Sequence, residues 1–215
     1  MTRIHLASSK VARRAGLVFA LAGLAAAMVA PASSLAAAPV QFGAKLSSMT
    51  DPANSTPARP CDEMAPGRAC TMIENQARER PDSLITAPKS GTIKQVRLVA
   101  GGPGSFQLQI AQVKRSTLFG TNEAKVVRNG PVIHYTGQTE ANFEEGVFKV
   151  ESFKVSVPVR KGQYLAIKAK STSALYCAGG GNDILTYQPS LMAGGSFRPA
   201  TSTDGCDLLL GATIR

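Results

Sequence analysis

The 215 residues contain no tryptophan and only two histidines, His5 and His134. Without tryptophan, neutral sugars cannot be stacked on an indole platform; Tyr135, Tyr164, Tyr176 and Tyr187 are the remaining tyrosines. A serine or cysteine hydrolase needs a base beside its nucleophile, and beyond the first 36 residues only His134 offers an imidazole. No G-x-S-x-G elbow occurs. The nearest candidates, Gly104-Ser105 and Gly195-Ser196, read as turns, and His134 in PVIHYTG reads as a strand histidine with one wet edge. C-x-x-C is missing too, so a zinc site lacks its close ligand pairs and no metal is expected. Neither a P-loop nor a strand–GxGxxG–helix unit is present, so no nucleotide cofactor is expected; Gly179-Gly180-Gly181 reads as a tight turn beside Cys177 rather than an anion nest.

Acidic residues are few, 14 against 24 Lys and Arg. Glu144-Glu145 are adjacent, and strand neighbours point to opposite faces, so residues 142–146 read as a polar turn and not a glycosidase pair. Asp183 and Asp204-Gly205 lack the dense acidic loop that calcium favours.

What is present begins with an export signature. Arg3, Lys10, Arg13 and Arg14 precede an apolar run from Ala15 to Ala30, and Ser34-Leu35-Ala36 resembles a signal cleavage site. The run is shorter than the roughly 20 residues of a spanning helix, and no later segment approaches that length. Residues 1–36 are therefore expected to be a signal peptide, by the ordinary route rather than the twin-arginine one, and the product secreted to the extracellular space or cell envelope. Removing them takes four basic residues and no acidic one, so the net charge falls from +10 to +6. Residues 37–60, rich in Ala, Pro, Ser and Thr, read as a flexible leader, and 61–215 as one domain large enough for an ordinary core. In an exported chain Cys61, Cys70, Cys177 and Cys206 are economically two disulfides. Of three pairings, Cys61–Cys70 and Cys177–Cys206 are favoured, the first closing the short loop CDEMAPGRAC.

Period-two alternation dominates the rest. Ile93, Val96 and Leu98 punctuate GTIKQVRLV; Phe106, Leu108 and Ile110 alternate with Gln107, Gln109 and Ala111; Val155, Val157 and Val159 alternate with Lys154, Ser156 and Pro158; Leu165, Ile167 and Ala169 alternate with Ala166, Lys168 and Lys170. Each run predicts a strand with one buried and one wet face, and Leu208–Ile214 closes the chain as a further strand. Lys89-Ser90-Gly91, residues 101–104, Asn129-Gly130-Pro131 and Lys161-Gly162 predict turns. Residues 71–80 fit either a helix opened by Thr71 and Glu74 or a first strand. The pattern predicts an all-β, antiparallel β-sandwich.

PKSGTIKQVRLV, SFQLQIAQV, VSVPVRKGQYLAIKA, LTYQPSL and CDLLLGATI follow in an order that resembles a group of uncharacterised secreted bacterial proteins of jelly-roll-like form. Ala87-Pro88 and Gly91 match the group's first motif; Pro158, Val159, Gly162 and Leu165 match its "P-V-x-x-G-D-x-I-G-L", with Gln163 in place of the acid and Ala166 in place of the second glycine. The resemblance spans about residues 83–214. It implies a jelly-roll sandwich and transfers no catalytic residue.

The functional expectation rests on charge. Arg97, Lys154, Lys168 and Lys170 take the polar parity of their strands, with Tyr164 on the same parity as the last two. If these strands are neighbours, they make a basic face for an anionic surface polymer or glycan, held by salt-sensitive contacts; no specific nucleic acid is indicated. The alternatives are lysines that merely solubilise the sheet, a hydrolase whose acids converge from distant loops, and an assembly subunit joined through a sheet edge.

Overall fold

The computed structural model describes residues 38–44, 46, 55–57, 61, 67–75, 84–115, 122–145, 148–170, 175–178, 184–204 and 207–215. These lie within the second of the chain's two contact units, Met1–Ala36 and Ala37–Arg215. The described strands are β1 (Val40–Gly43), β2 (Ser55–Pro57), β3 (Cys70–Glu74), β4 (Gly91–Leu98), β5 (Gly104–Lys114), β6 (Glu123–Tyr135), β7 (Glu151–Val159), β8 (Tyr164–Ala169), β9 (Tyr176–Ala178), β10 (Ile184–Tyr187), β11 (Arg198–Pro199), β12 (Ser202–Asp204), β13 (Asp207–Leu208) and β14 (Leu210–Ile214); one helix, α1 (Glu140–Glu145), precedes β7. No described helix is long and apolar enough to cross a membrane.

Two antiparallel sheets form the sandwich. One has the order β1-β14-β4-β7 and the other β11-β6-β5-β8-β3-β10-β12, with a small β13-β9-β2 sheet beside them. Eight strands carry the winding. In chain order β1, β3, β4, β5, β6, β7, β8 and β14 change sheet at every step except from β5 to β6, which are neighbours. That alternation, giving β1-β14-β4-β7 over β3-β8-β5-β6, is the jelly roll. The core between the sheets takes Ile93, Val96 and Leu98 from β4, Val157 and Val159 from β7, Phe106, Leu108 and Ile110 from β5, and Leu165 and Ile167 from β8. These are the inward residues of the alternating runs, each contributing roughly 1.5–3 kcal/mol on burial.

Several expectations are corrected. The supposed leader contains β1, paired with β14 along its whole length. Phe42 is 1% exposed there, and its burial, roughly 1.5–3 kcal/mol, adds to the ladder bonds with β14 in holding so short a strand. Of the two readings left open for residues 71–80, the strand is the one found at Cys70–Glu74, where β3 is buried at every position between β8 and β10. Asn129-Gly130-Pro131 is no turn but lies inside β6. The pairing Gln107↔Val132 followed by Gln109↔Asn129 leaves an extra β6 residue at this point. Such a bulge accommodates a proline that has no amide proton to give the ladder. Glu144 and Glu145 lie in α1 instead of a turn. The helix opens on a reciprocal cap, with Asn142 Oδ1 accepting from Thr139 N at 3.0 Å and Thr139 Oγ1 accepting from Asn142 N at 3.3 Å. Thr-x-x-Asn does the work usually read from Thr-x-x-Glu.

The largest departure concerns the outer face of the seven-stranded sheet, expected to be wet. Ile73, Ala111, Ala124, Val126, Tyr164, Ala166, Leu185 and Tyr187 form a second buried cluster with Leu191. Residues 188–201 strap across it. The strap is tied by backbone bonds from Gly194 N to Val126 O, Ala200 N to Asn122 O and Thr201 N to Thr186 O. At its centre Gln109, with no exposed surface, accepts from Thr71 Oγ1 (3.0 Å) and donates from Nε2 to Asn129 Oδ1 (2.8 Å) and Leu191 O (3.3 Å). Leu191 N in turn donates to Thr71 Oγ1 at 2.9 Å.

Cys61 and Cys70 form a disulfide with Cα atoms 5.5 Å apart. Cys177 lies on β9, while Cys206, its expected partner, is outside the described residues, as are Asp183 and Gly179-Gly180-Gly181.

Gln109→Leu is expected to lower unfolding stability by about 2–3 kcal/mol, because two buried groups, the Thr71 hydroxyl and the Leu191 carbonyl, lose their bonds to its amide. Denaturant unfolding measures the loss, and limited proteolysis should then cut preferentially within 188–201. Peptide mapping without reduction is expected to return Cys61–Cys70 and Cys177–Cys206; any crossed pair would refute the second assignment.

Candidate functional site

The strap covers only part of the sheet. Beyond it the outer face stays open where β5 begins and β8 ends. In register, Val132 of β6 faces Gln107 of β5, which faces Lys168 of β8, which faces Thr71 of β3. Ser105 of β5 faces His134 of β6, and both are exposed. Lys170 lies one residue past the end of β8. This row borders a groove of about 490 Å³, lined among others by Pro103, Phe106, Val132, Tyr135, Lys168 and Lys170. No acidic residue lines it. Two ammonium groups therefore stand over largely apolar walls with no carboxylate of the groove to neutralise them.

The wall is held from behind. Glu151 clamps the chain after β6: its carboxylate accepts from Thr136 N at 3.1 Å, Thr136 Oγ1 at 3.0 Å and Gly137 N at 2.7 Å. Gly137 adopts φ +78°, and a Cβ there would strike the backbone of Gly102. The 101–104 loop is thus pressed against the end of β6. Gly104 likewise lies where any Cβ would collide with the Tyr135 ring, so the tyrosine is stacked on bare backbone. Its ring centroid is 6.0 Å from that of Phe106. Burial, then the nearby Glu151 charge, pushes the Tyr135 hydroxyl up to about 12. The phenol stays neutral at physiological pH and acts as wall and hydrogen-bonding group, not as an acid or base.

The structure divides the expected basic face. Lys168 and Lys170 reach the groove. Arg97 on β4 and Lys154 on β7 belong to the four-stranded sheet, where Gln95 faces Lys154 and Arg97 faces Ser152. One continuous patch of all four is excluded by strand order. Tyr164 is corrected too: it lies in the cluster beneath the strap and is not part of the groove lining. Tyr187 shares that cluster. The aromatic residues that do accompany the lysines are Tyr135, one of the four tyrosines left open by the sequence, and Phe106, which alternation assigns to the core. Their access to the groove arises because the sandwich ends there. The glycines of 101–104 and the pairing of His134 with Ser105 carry the only sequence signal, and that pairing needs the β5–β6 register to be known.

Ser105 beside His134 brings together the two residues that a hydrolase would need. Among the described residues no carboxylate hydrogen-bonds to His134, so the orienting third member of a triad is missing. No family model, curated protein or solved structure matches the chain.

The raised Tyr135 pKa has a stability consequence. Between the ordinary value near 10 and about 12, the unfolded chain has released the phenolic proton and the folded chain has not. Folding stability is then full below pH 10 and falls as pH rises towards 12. Tyr187, raised in the same sense chiefly by burial, adds to the fall. Denaturant melts across this range should show it, and Tyr135→Phe should make the decline shallower.

Proposed function

We propose that the chain is a secreted, non-catalytic binding protein of the extracellular space or cell envelope, one of the jelly-roll group it resembles, whose groove takes an anionic polymer or glycan. The observation that carries this reading is the uncompensated pair Lys168 and Lys170 at a concavity with apolar and aromatic walls. A uronic-acid residue matches both features: its carboxylate is held by an ammonium, and the apolar face of its ring packs on Tyr135 and Val132. Lysine contributes a mobile point charge rather than a rigid fork, which suits a repeating polymer bound at many equivalent positions.

A hydrolytic reading comes second, favoured by Ser105 opposite His134. The two readings separate at His134. Its replacement by alanine abolishes a His-dependent hydrolysis and leaves polymer retention unchanged.

The test is binding of the secreted protein to polygalacturonate and to neutral dextran at low and high salt. Retention on polygalacturonate alone, lost at high salt, is expected. Lys168→Glu with Lys170→Glu should weaken it by on the order of tenfold or more, since a hydrogen bond to a charged group contributes about 1.5–3 kcal/mol. Equal retention on dextran, or none on either polymer, would refute the proposal.

A further inference from the structure

A second concavity, of about 410 Å³, opens between β6 of the larger sheet and the end of β7 in the smaller one. Lys125, Arg128, Arg160, Gln112 and Gln163 line it, with no acidic residue among the lining. Lys125 and Arg128 are three apart, a separation that would put them on opposite faces of a regular strand. Here Arg128 faces Ile110 and Val126 faces Ala111, so Val127 is an extra residue. The bulge restores both cations to the inward parity. Lys125 Nζ is steadied 4.7 Å above the Phe197 ring. None of the three cations is paired with a carboxylate among the described residues.

Gln163 gives the cleft a fixed neutral donor. It is 7% exposed, and its Oε1 accepts from Arg160 N at 2.7 Å. Its amide nitrogen has no hydrogen-bond partner among the described residues. A side chain that is itself nearly buried thus leaves its one unused donor accessible at the wall of a cleft that holds three positive charges.

Such a set lowers its own energy by taking up an oxyanion. Two guanidinium forks can each present paired N–H donors to oxygen. A phosphate monoester carries about −1.5 to −2 charge at neutral pH, closer to the three cations than a single carboxylate. The geometry points to a phosphate-binding site at this edge, for phosphate free or as a monoester on a larger molecule. The site is separate from the lysine groove and does not depend on it.

Calorimetric titration at low ionic strength with inorganic phosphate, glucose 6-phosphate and galacturonate tests the assignment. Saturable binding of both phosphates, tighter than galacturonate, is expected. Equal affinity for the two assigns the free ion, and tighter binding of the ester assigns a phosphorylated molecule. Gln163→Glu keeps an oxygen for Arg160 N but replaces the donor with a negative charge. It should weaken phosphate by about tenfold or more, as should Arg128→Gln at an exposed position. Lys168→Glu with Lys170→Glu should leave phosphate affinity unchanged, which separates this site's failure from that of the groove. Absence of saturable phosphate binding would overturn the inference, as would phosphate binding unchanged in folded Arg128→Gln and Gln163→Glu proteins.

Discussion

Gln109 is the point at which the layers of this molecule are joined. Its amide lies on the outer side of β5 and satisfies groups from β3, β6 and the strap at once. A buried amide is tolerated only when its bonds are made, so the strap must dock in one position for the sheet beneath it to be stable. Leu191 answers with both backbone groups, its carbonyl to Gln109 and its amide to Thr71. The side chains around this network are small: Ala111, Ala124 and Ala166 let the strap approach the sheet closely. The jelly roll therefore has two cores, one between its sheets and one beneath the strap.

That second core decides where ligands can go. Had the strap run the full length of the larger sheet, no open face would remain there. It ends short of the row that holds Ser105, Gln107 and Lys168, and the groove lies in the uncovered part. The opposite boundary is set by the Glu151 clamp and the close contact of Gly137 with the 101–104 loop. A rigid rim on one side and a docked strap on the other give a preformed concavity, so little conformational entropy is lost when it is filled.

Strand positions were legible because period-two burial is a local property. The alternation of Val155, Val157 and Val159 with Lys154, Ser156 and Pro158 reappears directly as alternating burial along β7. The same local rule failed for β5 and β8. Alternation says which residues share a face but not what covers that face. Tyr164, Ala166 and Gln109 were on the polar parity and are buried by a segment 20 or more residues distant in sequence. The signal was nevertheless there in negative form: a wet face would not carry Ala111, Val126 and Ala166. Strand order was equally invisible, and it alone separates Arg97 and Lys154 from Lys168 and Lys170. The bulges of β6 break parity outright, which is why Asn129-Gly130-Pro131 resembled a turn and why strand alternation alone would separate Lys125 from Arg128.

A basic excess spread evenly over a surface does little beyond keeping a protein soluble, because exposed charges are screened within about 10 Å at ordinary salt. Concave walls change this, since low-dielectric surroundings concentrate the field where a ligand would sit. Lys154, exposed on the face of the smaller sheet, falls under the first regime. Lys168 and Lys170 border one hollow, and Lys125, Arg128 and Arg160 another. The two hollows differ in kind. Ammonium groups over apolar walls accept a carboxylate in many orientations and favour sugar rings beside it. Guanidinium forks backed by a fixed amide constrain the geometry of the anion itself. The same net charge thus supports a tolerant surface at the end of one sheet and a more selective one at the gap between the two.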